Sequence, residues 1–383
     1  MNILVVSDHG LYTDLTSSFV HNQAMTFAAL GHRVRVLLPF PVGKSLNGRR
    51  MLPIVTRKDA EGVEIYYFRF LSLSNLGRRG FNTDSAKLAL KLVANQVLEG
   101  FTPDVIHAHT FGLVSQLGII LKHRLRCPLV ITTHGSDTNV ALRNGAAARL
   151  CSSADQADMV TAVSPILAQR LATCGTKTPI KPIINGFMLR NIPDGLERDP
   201  YAMIQVGNLV PSKRVDVTIR AFAQLKKWYP QMSLCIIGKG PEAEHLKALC
   251  TDLGVENSVR FLGWLPNQEV FLRMCQATFF VMASKPEGFG IVYLEAMAAG
   301  CVTVGTQGEG IDGFIRHGEN GFLVPADDAN AIVQVIDSCF QHPQEISAIA
   351  QMGQQEARKQ TWEHNAKQYS DLFSSILSPQ TGE

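Results

Sequence analysis

One stretch, residues 279–304 (FFVMASKPEGFGIVYLEAMAAGCVTV), constrains the fold of this chain more than any other. The apolar run at residues 279–282 predicts a buried strand of a parallel sheet. Residues 284–290 contain one proline and two glycines and therefore predict a loop. Apolar residues at helical spacing predict a helix from Ile291 that Gly300 ends, followed by a second buried strand. Such a strand–loop–helix–strand unit places ligands at the carboxyl ends of its strands.

Two glutamates, Glu287 in the loop and Glu295 on the helix, bracket a predicted anion site. The backbone N–H groups of Phe289, Gly290 and Ile291 lie at the predicted helix N-terminus, where free donors and the helix dipole favour a phosphate. Each glutamate can accept hydrogen bonds from a hydroxyl-rich group, and a phosphate between two polyols describes a nucleotide sugar. The alternative is that Glu287 caps the helix and Glu295 is solvated.

The pattern EGFGxxxLEAMAxG resembles the signature of GT-B glycosyltransferases, in particular the retaining group called family 4. The resemblance implies that Glu287 lies beside the donor sugar and that Glu295 holds the nucleotide ribose. It also implies front-face displacement without a covalent nucleophile, in which the leaving phosphate accepts the proton of the acceptor. Glu287 would orient the sugar and stabilise positive charge at the anomeric carbon.

A second element, VGNLVPSKR at residues 206–214, resembles the family pattern VGRLxxxKG, whose Arg and Lys bind the donor diphosphate. Lys213 matches the lysine, Asn208 stands in the place of the arginine, and Arg214 takes the place of the glycine. The alternative for Lys213 is a solvated lysine at a helix start, which the helix dipole disfavours unless an anion binds. The resemblance makes all three residues donor-site candidates.

Three further turns follow predicted strands in the second half of the chain. Gly238 and Gly240, in GKGP, resemble a family element that lines the donor site. The segment FLGWLP resembles the one that seats the nucleobase, where we expect Trp264 to pack rather than stack. Glu309, in TQGEGI, takes the place of a Gly-Gly turn and either faces the ligand or caps the next helix.

The first half begins with a predicted strand–helix–strand unit, in which the loop after residues 2–7 contains only one glycine and lacks GxGxxG. Family members often carry a Gly-rich loop here, beside the acceptor. Asp8, His9 and Gly10 are therefore candidates for the acceptor side of the cleft by position only.

Two later strands, predicted at residues 103–109 and 128–137, end in histidines. His134, in THGSD, matches the HG.D element of the family, whose imidazole contacts the donor sugar. His109 is interpreted as structural, and for Asp137 a site role and a structural role remain equally open. Because no Cys or carboxylate lies at ligand spacing near these histidines, the sequence predicts no metal site and no cofactor.

The order of elements predicts an α/β protein with two Rossmann-like parallel-sheet domains facing a central cleft, the GT-B architecture that the resemblance implies. Residues 1–190 form the predicted acceptor-binding domain and residues 191–200 the linker. Residues 201–360 form the donor-binding domain. Residues 361–383 form a terminal helix that, in the family, packs back on the first domain.

The amino-acid composition restricts the class of protein to which this chain can belong. The chain has 383 residues, of which 46% are hydrophobic and 18% charged, which is typical of a soluble globular protein. Its eight cysteines contain no CxxC pair and are predicted to be reduced core residues of a cytoplasmic protein. No apolar run reaches the roughly 20 residues of a membrane span, and the N-terminus predicts a strand rather than a signal peptide.

Charge is distributed unevenly. Residues 1–198 contain 22 Lys and Arg against 13 Asp and Glu, a net charge of +9, whereas residues 199–383 contain 14 against 20, a net charge of −6. A basic first half fits a lipid pyrophosphate, an anionic membrane surface or an acidic sugar. A solvated surface with dispersed charge explains it equally well. Nucleic acid is not predicted as a partner, because no interleaved aromatic residues or reader motif accompany the basic pairs.

The sequence therefore predicts a retaining glycosyltransferase that moves a sugar from a nucleoside diphosphate, expected to be a UDP-sugar, to a lipid-linked or polysaccharide acceptor. The expected setting is bacterial cell-surface polysaccharide synthesis, in the cytoplasm or at the inner face of the plasma membrane. The alternatives are a GT-B nucleotide-sugar epimerase, a glycogen or sucrose synthase-like enzyme with a soluble acceptor, and a non-catalytic sugar-nucleotide-binding protein.

Overall fold

Two α/β units make up the chain in its computed structural model, which describes residues 1–8, 19–42, 55–72 and 79–378. The N-terminal unit comprises Met1–Val163, Leu167–Gly186 and Trp362–Glu383. The C-terminal unit comprises Ser164–Ile166 and Phe187–Thr361.

Within the described residues, the sheet of the N-terminal unit contains eight strands. These are β1 Asn2–Val6, β2 Arg33–Val42, β3 Val55–Ala60, β4 Val63–Leu71, β5 Val105–His109, β6 Leu129–Thr133, β7 Met159–Ala162 and β8 Ile180–Pro182. Their order is β3-β4-β2-β1-β5-β6-β7-β8, and β3 alone among them runs antiparallel to its neighbour. The central strands β1, β5 and β6 are buried along nearly their whole length, as expected for a parallel sheet that helices cover on both faces.

Six helices accompany this sheet in the described part of the first half of the chain. They are α1 Phe19–Ala29, α2 Arg79–Leu98, α3 Leu113–Leu125, α4 Ser136–Arg143, α5 Ala147–Ala154 and α6 Pro165–Ala172. The sequence pattern predicts a single helix over residues 142–154, and this prediction is wrong. Gly145 has a left-handed φ of 66° and separates α4 from α5, because such a backbone ends a helix. The strand predicted over 128–137 ends at Thr133, so His134 lies in the turn before α4.

The C-terminal unit contains a six-stranded, wholly parallel sheet. Its strands are β9 Asp199–Val206, β10 Ser233–Ile237, β11 Val259–Gly263, β12 Ala277–Val281, β13 Val302–Thr306 and β14 Phe322–Val324. They lie in the order β11-β10-β9-β12-β13-β14. The helices are α7 Val215–Trp228, α8 Ala243–Asp252, α9 Asn267–Gln276, α10 Ile291–Ala298, α11 Ala329–Gln341 and α12 Pro343–Ala357. Helix α12 was not predicted from the sequence.

The last helix, α13 Trp362–Leu377, packs in the N-terminal unit. The hydroxyl of Tyr369 lies 3.0 Å from the hydroxyls of both Thr132 and Thr161, on neighbouring strands β6 and β7. Asn365 accepts a 2.7 Å hydrogen bond from the amide of Gln23 on α1. The chain therefore returns to its first unit after completing the second.

These elements confirm the predicted fold class of two parallel-sheet α/β halves. All eight cysteines lie in the described ranges as free thiols, and six of them are buried. Among the described helices, none combines the length and the apolar character needed to cross a membrane.

Candidate active site

The loops that follow β9 and β10 pack backbone against backbone at the carboxyl edge of the C-terminal sheet. A Cβ atom on Gly238 would lie 1.9 Å from the carbonyl oxygen of Gly207, and one on Gly240 would lie 2.2 Å from that of Leu209. Leu209 in turn donates its N–H to the carbonyl of Lys239 at 3.0 Å. Only glycine fits at residues 238 and 240, which explains the spacing in GKGP.

Lys213 and Glu287, predicted separately from two motifs, form an ion pair in the structure. Lys213 ends a 3-10 turn, Pro211–Lys213, between β9 and α7, and its side chain passes over Gly207. The side chains of Lys213 and Glu287 are only 23% and 14% exposed, so water screens the pair less than it would a surface pair. The carboxyl edge thus holds a cation and a carboxylate in contact.

The segment that follows β13 forms hydrogen bonds with the loop that carries Glu287. Glu309 is 5% exposed and accepts a 2.8 Å hydrogen bond from the backbone N–H of Glu287. Gly310 donates its N–H to the carbonyl of Glu287 at 3.2 Å. A Cβ atom on Gly310 would lie 2.1 Å from the carbonyl oxygen of Gly288. Glu309 therefore anchors the Glu287 loop, a role that is neither of the two alternatives considered from the sequence.

The predicted helix N-terminus forms at Gly290, the N-cap of α10, which has a left-handed φ of 82°. A Cβ atom there would lie 2.8 Å from the ring of Tyr293. Phe289 is buried just before the cap, and Ile291 is the first helical residue. The first N–H groups of α10 are therefore placed where a phosphate can accept from them.

Glu295 lies one turn into α10 and is half-buried. Burial raises the pKa of its carboxyl, and the positive charge of Arg190 opposes that rise. Arg190 is the last residue of the predicted acceptor-binding domain, directly before the predicted linker, and composition alone gave no signal for it. The structure adds Arg190 to the charged groups of this site.

Asn208 is exposed at the turn after β9, in the position where the family pattern carries an arginine. Arg214 adopts a left-handed φ of 47° and places its Nε 2.8 Å from a carboxylate oxygen of Asp327. Asp327 also lies 3.9 Å from the amine of Lys285. Part of the charge of Arg214 is therefore balanced within the protein.

Trp264 follows β11 and is 66% exposed. The prediction that it packs is wrong, because the turn after Gly263, which has a φ of 68°, leaves its indole outside the core.

In the N-terminal unit, His134 forms a cluster with two other histidines. Its Nε2 lies 3.0 Å from Nδ1 of His109, and the two rings are stacked at 5.3 Å. His107 packs against His109 and lies 2.7 Å from the hydroxyl of Thr132. Complete burial lowers the pKa of His107 well below its ordinary value, so this imidazole stays neutral. His109, interpreted as structural, is thus in direct contact with the candidate His134.

Asp137 organises the turn between β6 and α4. Its carboxylate accepts hydrogen bonds from the hydroxyl of Thr133 at 2.8 Å and from the N–H groups of His134 and Gly135 at 3.2 and 3.0 Å. It also accepts from the N–H of Phe111, after β5, at 2.8 Å. The carboxylate therefore fixes the backbone on which His134 sits.

Asp8 lies after β1 and accepts a 3.3 Å hydrogen bond from the hydroxyl of Thr110. The two other acceptor-side candidates, His9 and Gly10, lie outside the described residues. Within the described ranges, no group of three His, Cys, Asp or Glu side chains is arranged to hold a metal ion.

Comparison with known families gives two consecutive matches. Residues 16–189 match the family described as Glycosyltransferase Family 4. Residues 191–359 match the family described as Glycosyl transferases group 1.

Two characterised relatives illustrate the range of named activities. The GDP-mannose-dependent alpha-(1-6)-phosphatidylinositol monomannoside mannosyltransferase of Mycolicibacterium smegmatis is 27% identical over 274 residues, which cover 64% of this chain and 70% of the relative. The N-acetyl-alpha-D-glucosaminyl L-malate synthase of Bacillus anthracis is 27% identical over 315 residues, which cover 76% and 79%.

Two solved structures share the fold over nearly the whole chain. Sucrose-phosphate synthase from Thermosynechococcus elongatus superposes with a TM-score of 0.78 at 19% identity, covering 98% of this chain and 99% of the other. Anabaena HepE in complex with UDP-glucose superposes with a TM-score of 0.72 at 20% identity, covering 98% and 100%. At these identities the likeness concerns the fold.

Proposed function

This chain belongs to the family 4, or group 1, glycosyltransferases of the GT-B fold, and from that premise we propose that it moves a sugar from a UDP donor to a lipid-linked or growing polysaccharide acceptor. The observation that carries the proposal is the contact between Lys213 and Glu287 beside the N-terminus of α10. It provides a cation and free N–H groups for a diphosphate, with a carboxylate next to them for the sugar.

The proposed reaction retains the configuration of the sugar. The bond between the anomeric carbon and the diphosphate oxygen breaks, and the acceptor oxygen bonds to the same carbon on the same face. The acceptor proton passes to the departing phosphate oxygen. Glu287 would orient the sugar and stabilise the positive charge that develops at the anomeric carbon. We also propose that His134, held by its turn and by His109, is a contact of the donor sugar, as the family resemblance implies.

Lys213 would stabilise the charge of the leaving diphosphate, together with the N–H groups at the start of α10. In the donor-free protein its amine pairs with Glu287, so a bound diphosphate offers Lys213 a second anionic partner. Asn208 would donate a neutral hydrogen bond in place of the usual arginine. We propose that Lys213 takes the charge-neutralising role without a metal ion, so transfer should withstand chelation by EDTA.

The proposals for the donor and the acceptor are based on the names of the similar proteins. UDP-glucose is the ligand of the structurally similar HepE, which favours a uridine donor, whereas the mannosyltransferase relative is named for GDP-mannose, which makes a guanosine donor the alternative. The mannosyltransferase relative is named for a phosphatidylinositol acceptor, which supports a lipid-linked one. With the basic first half of the chain, this favours a cytoplasmic enzyme at the inner face of an anionic membrane, within cell-surface polysaccharide synthesis. The N-acetyl-alpha-D-glucosaminyl L-malate synthase is named for a small acceptor, malate, and therefore favours a soluble acceptor as the second candidate.

The test is transfer of radiolabelled sugar from UDP-, GDP- and ADP-sugars to a membrane lipid extract, followed by butanol partition. We expect label from a UDP-sugar in the organic phase, and a loss of about 100-fold or more in Glu287→Gln and in Lys213→Met. The matched control is Lys247→Met, which removes an exposed lysine on α8.

Each other result assigns a different function. Label in a soluble product would support the second candidate. Turnover of the donor without any acceptor would indicate an epimerase. Donor binding that Glu287→Gln leaves unchanged, without turnover, would indicate a binding protein.

A further inference from the structure

The C-terminal unit contains a groove that the proposed transfer reaction does not use. Its walls come from the first residues of β9 and β10, from β11 and from the last turn of α9. The groove has a volume of about 770 Å³, which lies within the range of about 300–1,000 Å³ that small-molecule sites occupy. Because it lies over the amino-terminal halves of β9 and β10, it is separate from the carboxyl edge that holds Lys213 and Glu287.

Strand register places two arginines on this groove. Cys235 on β10 is paired in register with Arg260 on β11, so their side chains lie on the same face of the sheet. The preceding residue, Leu234, packs in the core with α7 and α8, so Cys235 and Arg260 lie on the opposite face. Helix α9 adds Arg273 to the same groove. Two guanidinium groups from separate elements therefore border it.

The positive charge of these arginines is poorly balanced within the protein. Burial raises the pKa of the Cys235 thiol although Arg273 and Arg260 oppose the rise, so the thiol stays neutral. Arg260 forms no ion pair within the described ranges. Arg273 lies 3.7 Å from Glu269, and both side chains are nearly half exposed, so this pair contributes little. Both guanidinium groups are therefore available to an anion.

The other end of the groove is acidic. Glu197 and Asp199, at the start of β9, line it there. Arg198 lies between them in sequence, but its guanidinium donates to the backbone carbonyls of Ala277 and Ala299. This end therefore disfavours a second anionic group and suits hydroxyls, which can donate hydrogen bonds to carboxylates.

The spacing of the two ends sets the size of the ligand. Strand β10 lies between β9 and β11, so the acidic and basic ends are roughly 10 Å apart. Ser233 and Gln276 line the groove as well and offer neutral hydrogen-bonding groups. A molecule that fits carries one anionic group at one end and several hydroxyls at the other.

We propose that this groove binds a hexose phosphate, with the phosphate on Arg260 and Arg273 and the sugar hydroxyls toward Asp199. Arginine suits this role because its planar guanidinium can donate two parallel hydrogen bonds to a phosphate. The proposal does not depend on the proposed transferase function, since none of its residues belongs to the donor site.

The experiment is isothermal titration of the full-length protein with glucose 6-phosphate, mannose 6-phosphate, fructose 6-phosphate, inorganic phosphate and glucose. At least one hexose phosphate should bind more tightly than inorganic phosphate, and glucose should not bind. Arg260→Met and Arg273→Met should each weaken hexose phosphate binding roughly 10-fold, as expected for the loss of a charged hydrogen-bond donor. The matched control is Arg220→Met, which removes an exposed arginine from α7, on the other face of the sheet.

Two further variants separate this groove from its alternatives. Glu269→Gln should strengthen hexose phosphate binding, because it removes the carboxylate that competes for Arg273. Lys213→Met and saturating UDP should leave hexose phosphate binding unchanged, because both act at the carboxyl edge. Arg260→Met should in turn leave the affinity for UDP unchanged.

The inference is overturned if none of the three hexose phosphates binds, or if Arg260→Met binds as tightly as Arg220→Met. Binding that Lys213→Met or UDP abolishes would place the hexose phosphate in the donor site instead. Inorganic phosphate that binds as tightly as every hexose phosphate would refute the assignment of a sugar ligand. Failure of sugar transfer would refute the proposed function and leave this inference standing, because its readout is binding at a different place.

Discussion

Burying Glu295 lowers the free energy of unfolding of the C-terminal unit whenever its carboxylate is charged, because burial raises its pKa above the ordinary value of 4.5. Above that value the unfolded chain ionises first, so stability should fall as pH rises toward the folded-state pKa. Glu295→Gln removes the titration. We expect this variant to gain stability relative to wild type as pH rises from 4 to 8, with the difference vanishing at the acid end. Urea unfolding across that range measures it.

The control for this residue is Glu244→Gln, which changes an 86% exposed side chain on α8 of the same unit. An exposed pair of this kind contributes little, so its effect should hardly vary with pH. A constant difference between Glu295→Gln and wild type would show that burial does not perturb this carboxyl. A variant that gains stability but loses nucleotide binding would identify Glu295 as a residue kept for function at the expense of stability.

At the scale of elements, the site depends on two loops in backbone contact. Gly310→Ala would bring a Cβ within 2.1 Å of the Gly288 carbonyl and displace the loop that carries Glu287. We expect the turnover number to fall by about 100-fold, the order of effect for a misplacement of about 1 Å, and the clash to cost about 1–3 kcal/mol of stability, which lowers the melting temperature. Steady-state kinetics and thermal melting measure the two quantities.

Gly308→Ala is the matched control for this loop. Gly308 has a left-handed φ of 73° but open space around its Cβ position. Its substitution should cost about 1–2 kcal/mol of backbone strain and leave the turnover number nearly unchanged. Equal turnover in the two variants would mean that the contact between the loops does not position Glu287.

Strongly patterned elements were predictable from the sequence, and features set by tertiary contacts were not. The loop at residues 284–290 and the helix from Ile291 could be predicted because apolar spacing, proline and glycine all agree there. The break at Gly145 was missed because residues on both sides favour a helix. The exposure of Trp264 and the charge of Arg190 beside Glu295 depend on neighbours distant in sequence, for which no local pattern exists.

On the scale of the whole molecule, the two units differ in how the chain builds them. The C-terminal unit is almost entirely one continuous segment, Phe187–Thr361, with its own core between sheet and helices. It contains the ion pair of Lys213 and Glu287, together with Glu295 and Trp264. The N-terminal unit needs α13, which contributes four buried residues to its core: Ala366, Tyr369, Leu372 and Phe373.

Because only the N-terminal unit depends on a distant segment, we expect the two units to differ in whether they fold when expressed as separate fragments. Residues 187–361 expressed alone should fold cooperatively and bind UDP with an affinity within a few-fold of the full chain. Residues 1–186 alone should not fold stably. Burying each large apolar side chain of α13 stabilises by about 1.5–3 kcal/mol, and three of them together approach the roughly 5–15 kcal/mol that a whole domain has available. Circular dichroism melting and titration with UDP measure both expectations.

The control is a fusion that joins residues 362–378 to residue 186 through a flexible linker, which should restore cooperative melting to the N-terminal unit. The variant Tyr369→Phe within that fusion should lower its stability by about 1 kcal/mol, because the hydroxyls of Thr132 and Thr161 lose a shared partner. If residues 1–186 melt cooperatively without α13, the helix is an addition to a complete core rather than a part of it. If residues 187–361 fold but bind no UDP while the full chain does, then residues outside this segment supply part of the nucleotide affinity.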